Sequence, residues 1–473
     1  MQYTDTSRKL LVSRYNVIKI IALVLVVGFL VICLLWVNGY RAHQPNTEPV
    51  GICMVLFALL LVLMPMLMGY RFMSIPVFYL AYAWLYHFSL ATLCSLDPKL
   101  WDFAPDLFRT WTQDGPWGAS LVYSVLCFAM FVAGAAFALT SRKKNNKPYY
   151  DPVQCDQYLF KGGIVLAIFM VVTIIGVIFK SGGLEILSRT YLDNFEEGVF
   201  GRAFFMCVQI FAYAISFAVA GAPRKLLWLP VVIQLLATCV LLALGTRGPA
   251  LVSILVMSLV LYRRGVRFKW LPTVLLIIFT FWLISFVKQG RDAGMLGGIE
   301  DKSKVSTISG ILELGGTIRT VSLMIEWIDS DNSAMQNGQT YWLPFERAIG
   351  AVLPGVRMEL DSDLRSFSNA VNAREPYLGG TVIGESYYNF GVFGGFVFLL
   401  LGFILGSLEL GSNSPFSIAK TAVVAYALLY YVRDYFLPVP VPILIGLLVV
   451  LILQKMSSRA HLKRMSESFI IVR

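Results

Sequence analysis

Apolar stretches of membrane-spanning length recur along almost the whole chain, and no other feature constrains its fold as tightly. They fall at 16–37, 50–69, 73–95, 119–140, 162–179, 203–221, 227–244, 249–262, 270–288, 387–408, 416–432 and 436–454. All but the short 249–262 run approach the roughly 20 residues needed to cross a hydrocarbon core of about 30 Å. With 57% hydrophobic and only 14% charged residues, the chain is too oily for a soluble globule. The expected fold is an all-α polytopic integral membrane protein of about twelve transmembrane helices.

Basic residues set the orientation. Arg8, Lys9 and Arg14, then Arg71, Arg142 to Lys147, Arg224 and Lys225, Arg263 to Lys269 and finally Lys455 to Arg464 fall on every second loop. The positive-inside rule then puts both termini in the cytoplasm. It also accounts for the net charge of +11 with no nucleic acid as partner. The reading divides the chain into a nine-span region over 1–288, a large periplasmic loop over 289–386, and a three-span region with a cytoplasmic tail over 387–473. The loop is no mere linker. "TIRTVSLMIEWID" (317–329) puts Ile318, Val321, Ile325 and Ile328 on one stripe, which predicts an amphipathic helix on the bundle or in the interface. "YWLPFERAIGAVLPG" (341–355) reads as a second short one.

The seven cysteines all precede residue 240, mostly inside apolar runs and without CxxC spacing, so they read as small packing residues. Three histidines are too few for a His-rich metal site.

Three features converge on the expected outer boundary. "LLALGTRGPALVS" (241–253) sets Arg247 in a tight turn, with Pro249 opening the next helix, so the arginine beside a helix N-terminus reads as an anion seat. The plain alternative is a hairpin reaching a lipid headgroup. "YALLYYVRDYFLPVPVP" (426–442) sets Arg433 and Asp434 between two apolar runs with almost no loop, crowded by tyrosines, with Pro438 opening the following helix. Here the alternative is a local ion pair of little worth. "GGTVIGESYYNFGVFGG" (379–395) brings Glu385, Tyr387, Tyr388 and Asn389 to the mouth of another helix, where the carboxylate could equally be a cap. Within 289–386 arginine outnumbers lysine six to two. Because the guanidinium fork matches phosphate bidentately, that bias reads as a face prepared for a phosphorylated substrate.

"LGTRGPAL", "VKQGRDAG", "ILELGGT", "GQTYWLPFERAIGAVLPG" and above all "GGTVIGESYYNFGVFGG" resemble the O-antigen polymerase (Wzy) family of bacterial inner membranes. The resemblance is detailed over about 240–440 and topological before that. It implies a glycosyltransferase that polymerises undecaprenyl-pyrophosphate-linked repeat units at the periplasmic face, with lipid-linked glycan donor and acceptor as partners. Membrane lipids and a chain-length regulator would be further partners, and no metal or other cofactor is expected. On this resemblance Arg247, Arg291, Arg319 and Arg433 are the phosphate candidates. Glu385 or Asp434 is the catalytic base, and Tyr388 and Asn389 are sugar contacts. Glu313 matches a recurrent family position with no assigned task. A lipid-linked oligosaccharide flippase and an O-antigen ligase are the competing readings; the ligases depend on a loop histidine that 289–386 lacks.

Overall fold

Backbone amides in a hydrocarbon layer must close their own hydrogen bonds, so apolar runs become helices. The computed structural model describes residues 5–37, 48–69, 72–103, 116–141, 155–180, 201–267, 309–350, 363–375 and 378–471, and among these it is helical without strands. In chain order the helices are α1 (Asp5–Val37), α2 (Glu48–Leu67), α3 (Ile75–His87), α4 (Ser89–Leu96), α5 (Trp117–Ser141) and α6 (Gln157–Lys180). Next come α7 (Arg202–Gly221), α8 (Trp228–Ala243), α9 (Arg247–Arg263), α10 (Ser309–Gly315), α11 (Arg319–Ser330) and α12 (Gln339–Gly350). The last five are α13 (Phe367–Asn372), α14 (Val382–Phe390), α15 (Gly395–Glu409), α16 (Pro415–Tyr431) and α17 (Pro440–Ile471).

Eight helical segments among the described residues are long and apolar enough to cross a membrane; α3 and α4, bent by 64°, make a ninth if taken as one span. Among the described residues the count thus falls short of the expected twelve. The 249–262 and 416–432 runs fold as α9 and α16, of 17 residues each, and the 270–288 run lies outside the described residues. The bend has a local cause. Ser89 Oγ donates to the Leu85 carbonyl at 2.7 Å and Thr92 Oγ1 to the Phe88 carbonyl at 2.7 Å, drawing hydroxyls onto the backbone at the break.

The chain forms two compact units. The first comprises Met1–Lys147, Ile311–Leu410 and Tyr431–Pro438. Its centre is α5, buried on nearly every side as a helix apolar all round must be. Helices α15, α1, α2 and α11 pack against it. The amphipathic stripe read over 317–329 is realised here: α11 buries Val321, Met324, Ile325 and Ile328, and Ser322 Oγ donates to Ser120 Oγ of α5 at 2.9 Å. The second unit comprises Pro148–Gly310, Gly411–Tyr430 and Val439–Arg473. In it α6 packs along α7, with α8, α9 and α17 against the pair.

Two helix starts differ from expectation. Arg247 is the first residue of α9 rather than a turn residue, with Pro249 inside the first turn. And α17 begins at Pro440, not Pro438. A residue before proline is biased away from the helical region, and the prolines at 438 and 440 disfavour an earlier start. Residues 432–439 are therefore an irregular segment instead of the near-absent loop the sequence implied.

Glu409, at the end of α15, is 1% exposed and its Oε2 accepts the Ile75 amide at 3.1 Å, closing the N-terminus of α3 where Ser74 makes no side-chain cap. A carboxylate there is favoured by the helix dipole. Glu409→Ala should lower unfolding stability by about 1–3 kcal/mol, because a buried amide loses its acceptor. Thermal unfolding in detergent should show Glu409→Gln, whose oxygen can still accept, falling between the two.

Candidate active site

Thr381 opens α14: its backbone is extended and its hydroxyl accepts the Ile383 amide at 3.3 Å, an N-cap. One turn on, the Glu385 amide bonds the Thr381 carbonyl at 2.9 Å, which aims the Glu385 side chain inward, 1% exposed. Gly391, at φ 56°, ends the helix in a conformation a side chain would resist, and the chain resumes at Gly395 as α15.

A buried carboxylate needs donors, and three reach Glu385. Its Oε2 accepts the Tyr431 hydroxyl at 3.0 Å and the Phe436 amide at 2.7 Å. The Thr340 hydroxyl at the start of α12 is the third donor. Thr340 is in turn fixed by Asn389, whose amide donates to Thr340 Oγ1 at 2.7 Å and to the Glu385 carbonyl at 2.8 Å. The Tyr431 hydroxyl also lies 3.4 Å from that of Tyr341. Burial raises the Tyr341 pKa well above its ordinary value, and the Glu385 carboxylate pushes it further the same way.

The segment 431–438 thus supplies a hydroxyl and an amide to the carboxylate, and it also carries Arg433 and Asp434. The Arg433 guanidinium carbon lies 5.4 Å from the ring centroid of Tyr86 on α3. Asp434 Oδ1 accepts its neighbour Tyr435's amide at 2.9 Å. His87 ties this segment to α14: its Nε2 is 3.3 Å from the Val432 carbonyl and 3.4 Å from Thr381 Oγ1.

Of the residues singled out from sequence, Glu385, Arg433, Asp434 and Asn389 come together here. Asn389 is fully buried and its amide is engaged, so in this conformation it braces the site instead of facing a sugar. Tyr388, 1% exposed, donates to the Leu364 carbonyl at 3.2 Å and stacks on Trp327 at 5.1 Å. Arg319 of α11 meets both oxygens of Glu375 at 2.6 Å. Arg247 belongs to the other unit and is 3% exposed; Arg291 lies outside the described residues.

The other described arginines of this region are also matched to internal partners, and Arg357 lies outside the described residues. Arg347 pairs with Asp363 at 3.3 Å, Arg365 with Glu346 at 3.0 Å and Asp363 at 2.9 Å, and Arg374 lies 3.7 Å over the Trp327 ring. Burial alone would raise the Asp363 pKa, but the Arg365 hydrogen bonds outweigh it and hold the carboxyl below its usual value. The arginine bias in this region is met by carboxylates and a ring as well as a phosphate would meet it.

Tyr341, Thr340 and His87 were missed from sequence. Thr340 and Tyr341 sat in the "GQTYWLPFER" motif, which carried a signal; His87 sat inside an apolar run and carried none. Among the described residues no group of three or more His, Cys, Asp or Glu is placed to hold a metal ion.

A family model described as O-antigen polysaccharide polymerase Wzy matches residues 18–461. Over 252 residues the chain is 24% identical to Protein CapE of Staphylococcus aureus, covering 53% of each chain. The chain thus spans about half the length of this curated relative. No solved structure matches it.

Proposed function

The chain belongs to the O-antigen polysaccharide polymerase Wzy family, and on that premise we propose that it polymerises lipid-linked oligosaccharide repeat units into O-antigen or a similar surface polysaccharide. The substrates in this reading are undecaprenyl-pyrophosphate-linked glycans. The site faces the periplasm of a bacterial inner membrane, with both termini in the cytoplasm. The observation that carries the reading is the buried Glu385 carboxylate, gripped by Tyr431 and Phe436 of the segment that also carries Arg433.

In this mechanism an acceptor sugar hydroxyl attacks the anomeric carbon of the donor glycan. The C–O bond to the lipid diphosphate breaks and its electron pair leaves with the phosphate, while the hydroxyl proton passes to Glu385. Arg433 offsets the charge that builds on the leaving diphosphate. Arg247, Arg291 and Arg319 stay in the proposal as further phosphate ligands; Arg319 would have to exchange Glu375 for phosphate. Asp434, two residues from Phe436, is the second candidate for the base.

Purified protein given lipid-linked repeat units from its native host should yield a ladder of products. A single addition would point to a ligase, and translocation without elongation to a flippase; either outcome sinks the reading. Arg433→Ala should lower kcat/KM by about 10²–10³, the scale expected when one group stabilising transition-state charge is lost.

A further inference from the structure

Buried hydroxyls and ring nitrogens in native proteins almost always find a hydrogen-bond partner, so those that do not call for a reason. Three sit close together on α3. Among the described residues, neither the Tyr79 hydroxyl, nor the Tyr86 hydroxyl, nor Nδ1 of His87 has a partner, and all three residues are 0% exposed. Tyr79 and Tyr86 are two turns apart on one face of the helix. Two border the site directly: Tyr86 lies beneath Arg433, and His87 touches Val432 and Thr381; Tyr79, two turns before Tyr86, stacks on Phe131 of α5 at 4.6 Å.

The chemistry of the three groups narrows what would satisfy them. To donate to the Val432 carbonyl, His87 must carry its proton on Nε2, which leaves Nδ1 a bare acceptor. The phenols both donate and accept. All are neutral, so an anion is not what they are built for; the positive charge is on Arg433, at one end of the array. Aromatic bodies bearing neutral donors and acceptors fit polyhydroxylated rings. We propose that Tyr79, Tyr86 and His87 form a sugar-binding subsite, which hydrogen-bonds hydroxyls of the lipid-linked glycan while Arg433 meets its diphosphate. This rests on the polymerase reading and names the part of the substrate that α3 recognises. Since the three groups are sealed, binding requires the residues covering them to move aside.

Hydroxyls kept for a ligand leave a signature: removing them helps the empty protein and harms binding. The test uses Tyr79→Phe, Tyr86→Phe and the double variant of the full chain. Thermal unfolding is measured without substrate. Equilibrium binding is measured for two probes, the host's lipid-linked repeat unit and sugar-free undecaprenyl diphosphate. The expected result is an unchanged or raised Tm, about three- to ten-fold weaker binding of the glycosylated probe per hydroxyl lost, and unaltered binding of the sugar-free lipid. A lowered Tm with unchanged binding would mean that buried water holds the hydroxyls, and overturns the proposal. Equal weakening for both probes, or none, also overturns it. Because binding is read without turnover, these outcomes are separable from a failure of wild-type protein to elongate chains, which would count against the polymerase reading alone.

Discussion

Glu385→Gln leaves the protein folded and nearly silent: kcat for chain elongation falls by about 10²–10⁴, the usual contribution of a positioned general base, and cells carrying it accumulate single-repeat glycans. Glutamine has the shape of glutamate, and its amide oxygen can still accept from the Tyr431 hydroxyl and the Phe436 amide, which now meet Oε2 at 3.0 and 2.7 Å. Thr340 can turn its hydroxyl to accept from the new amide. Packing and thermal stability should therefore stay close to wild type. What is lost is the lone pair that takes the acceptor proton. Since the charge on the diphosphate is met by arginine, substrate KM should move little, and the loss should sit in kcat. Tyr431→Phe is a milder companion, removing one donor while keeping the carboxylate, and should cost about ten-fold. Long polymer at a normal rate from Glu385→Gln would remove this residue as the base and leave Asp434→Asn as the next variant to assay.

The parts legible in the sequence share one property: their cause is local. Apolar runs announce helices whatever they pack against, and the stripe through Val321, Ile325 and Ile328 announced α11. Glu385 was legible because a carboxylate sits among glycines and tyrosines at a helix mouth. Its partners were not. "DYFLPVP" has the hydropathy of a helix, yet Phe436 donates its amide to a side chain 51 positions earlier, and no local pattern encodes that bond. Tyr79 and Tyr86 carry no sequence signal, because their rings pack as any buried aromatic does; among the described residues, only the missing partners of their hydroxyls set them apart. The arginines were ambiguous for a different reason. A guanidinium fork suits Glu375 as well as a phosphate, and composition cannot tell which one it meets.

Gly402→Val should prevent the first unit from assembling, leaving little folded protein in the membrane fraction. Helices α5 and α15 approach through reciprocal contacts. A methyl group on Gly134 of α5 would overlap the Leu399 carbonyl, and one on Gly402 of α15 would overlap the Phe131 carbonyl. Backbone atoms in the middle of a helix cannot step aside as a side chain can. Any side chain therefore forces the two axes apart, and the dispersion contacts along the whole pair go with them. In lipid the hydrophobic effect does not hold helices together, so close packing is the main attraction that remains. We expect a loss of about 3 kcal/mol or more, beyond the range of ordinary substitutions. Gly406→Ala is the graded control: a methyl there meets the Ala135 backbone and the Ala138 Cβ at 3.0 Å, a far shallower overlap that a shift of a few tenths of an ångström relieves. The order Gly402→Val, Gly402→Ala, Gly406→Ala should hold both in protein yield and in unfolding temperature. It should also hold in polymer length, because α15 continues the chain segment that carries Glu385, and spreading the pair displaces the carboxylate from Tyr431 and Phe436. A folded, active Gly402→Val protein would show that the α5–α15 contact is not what positions the site.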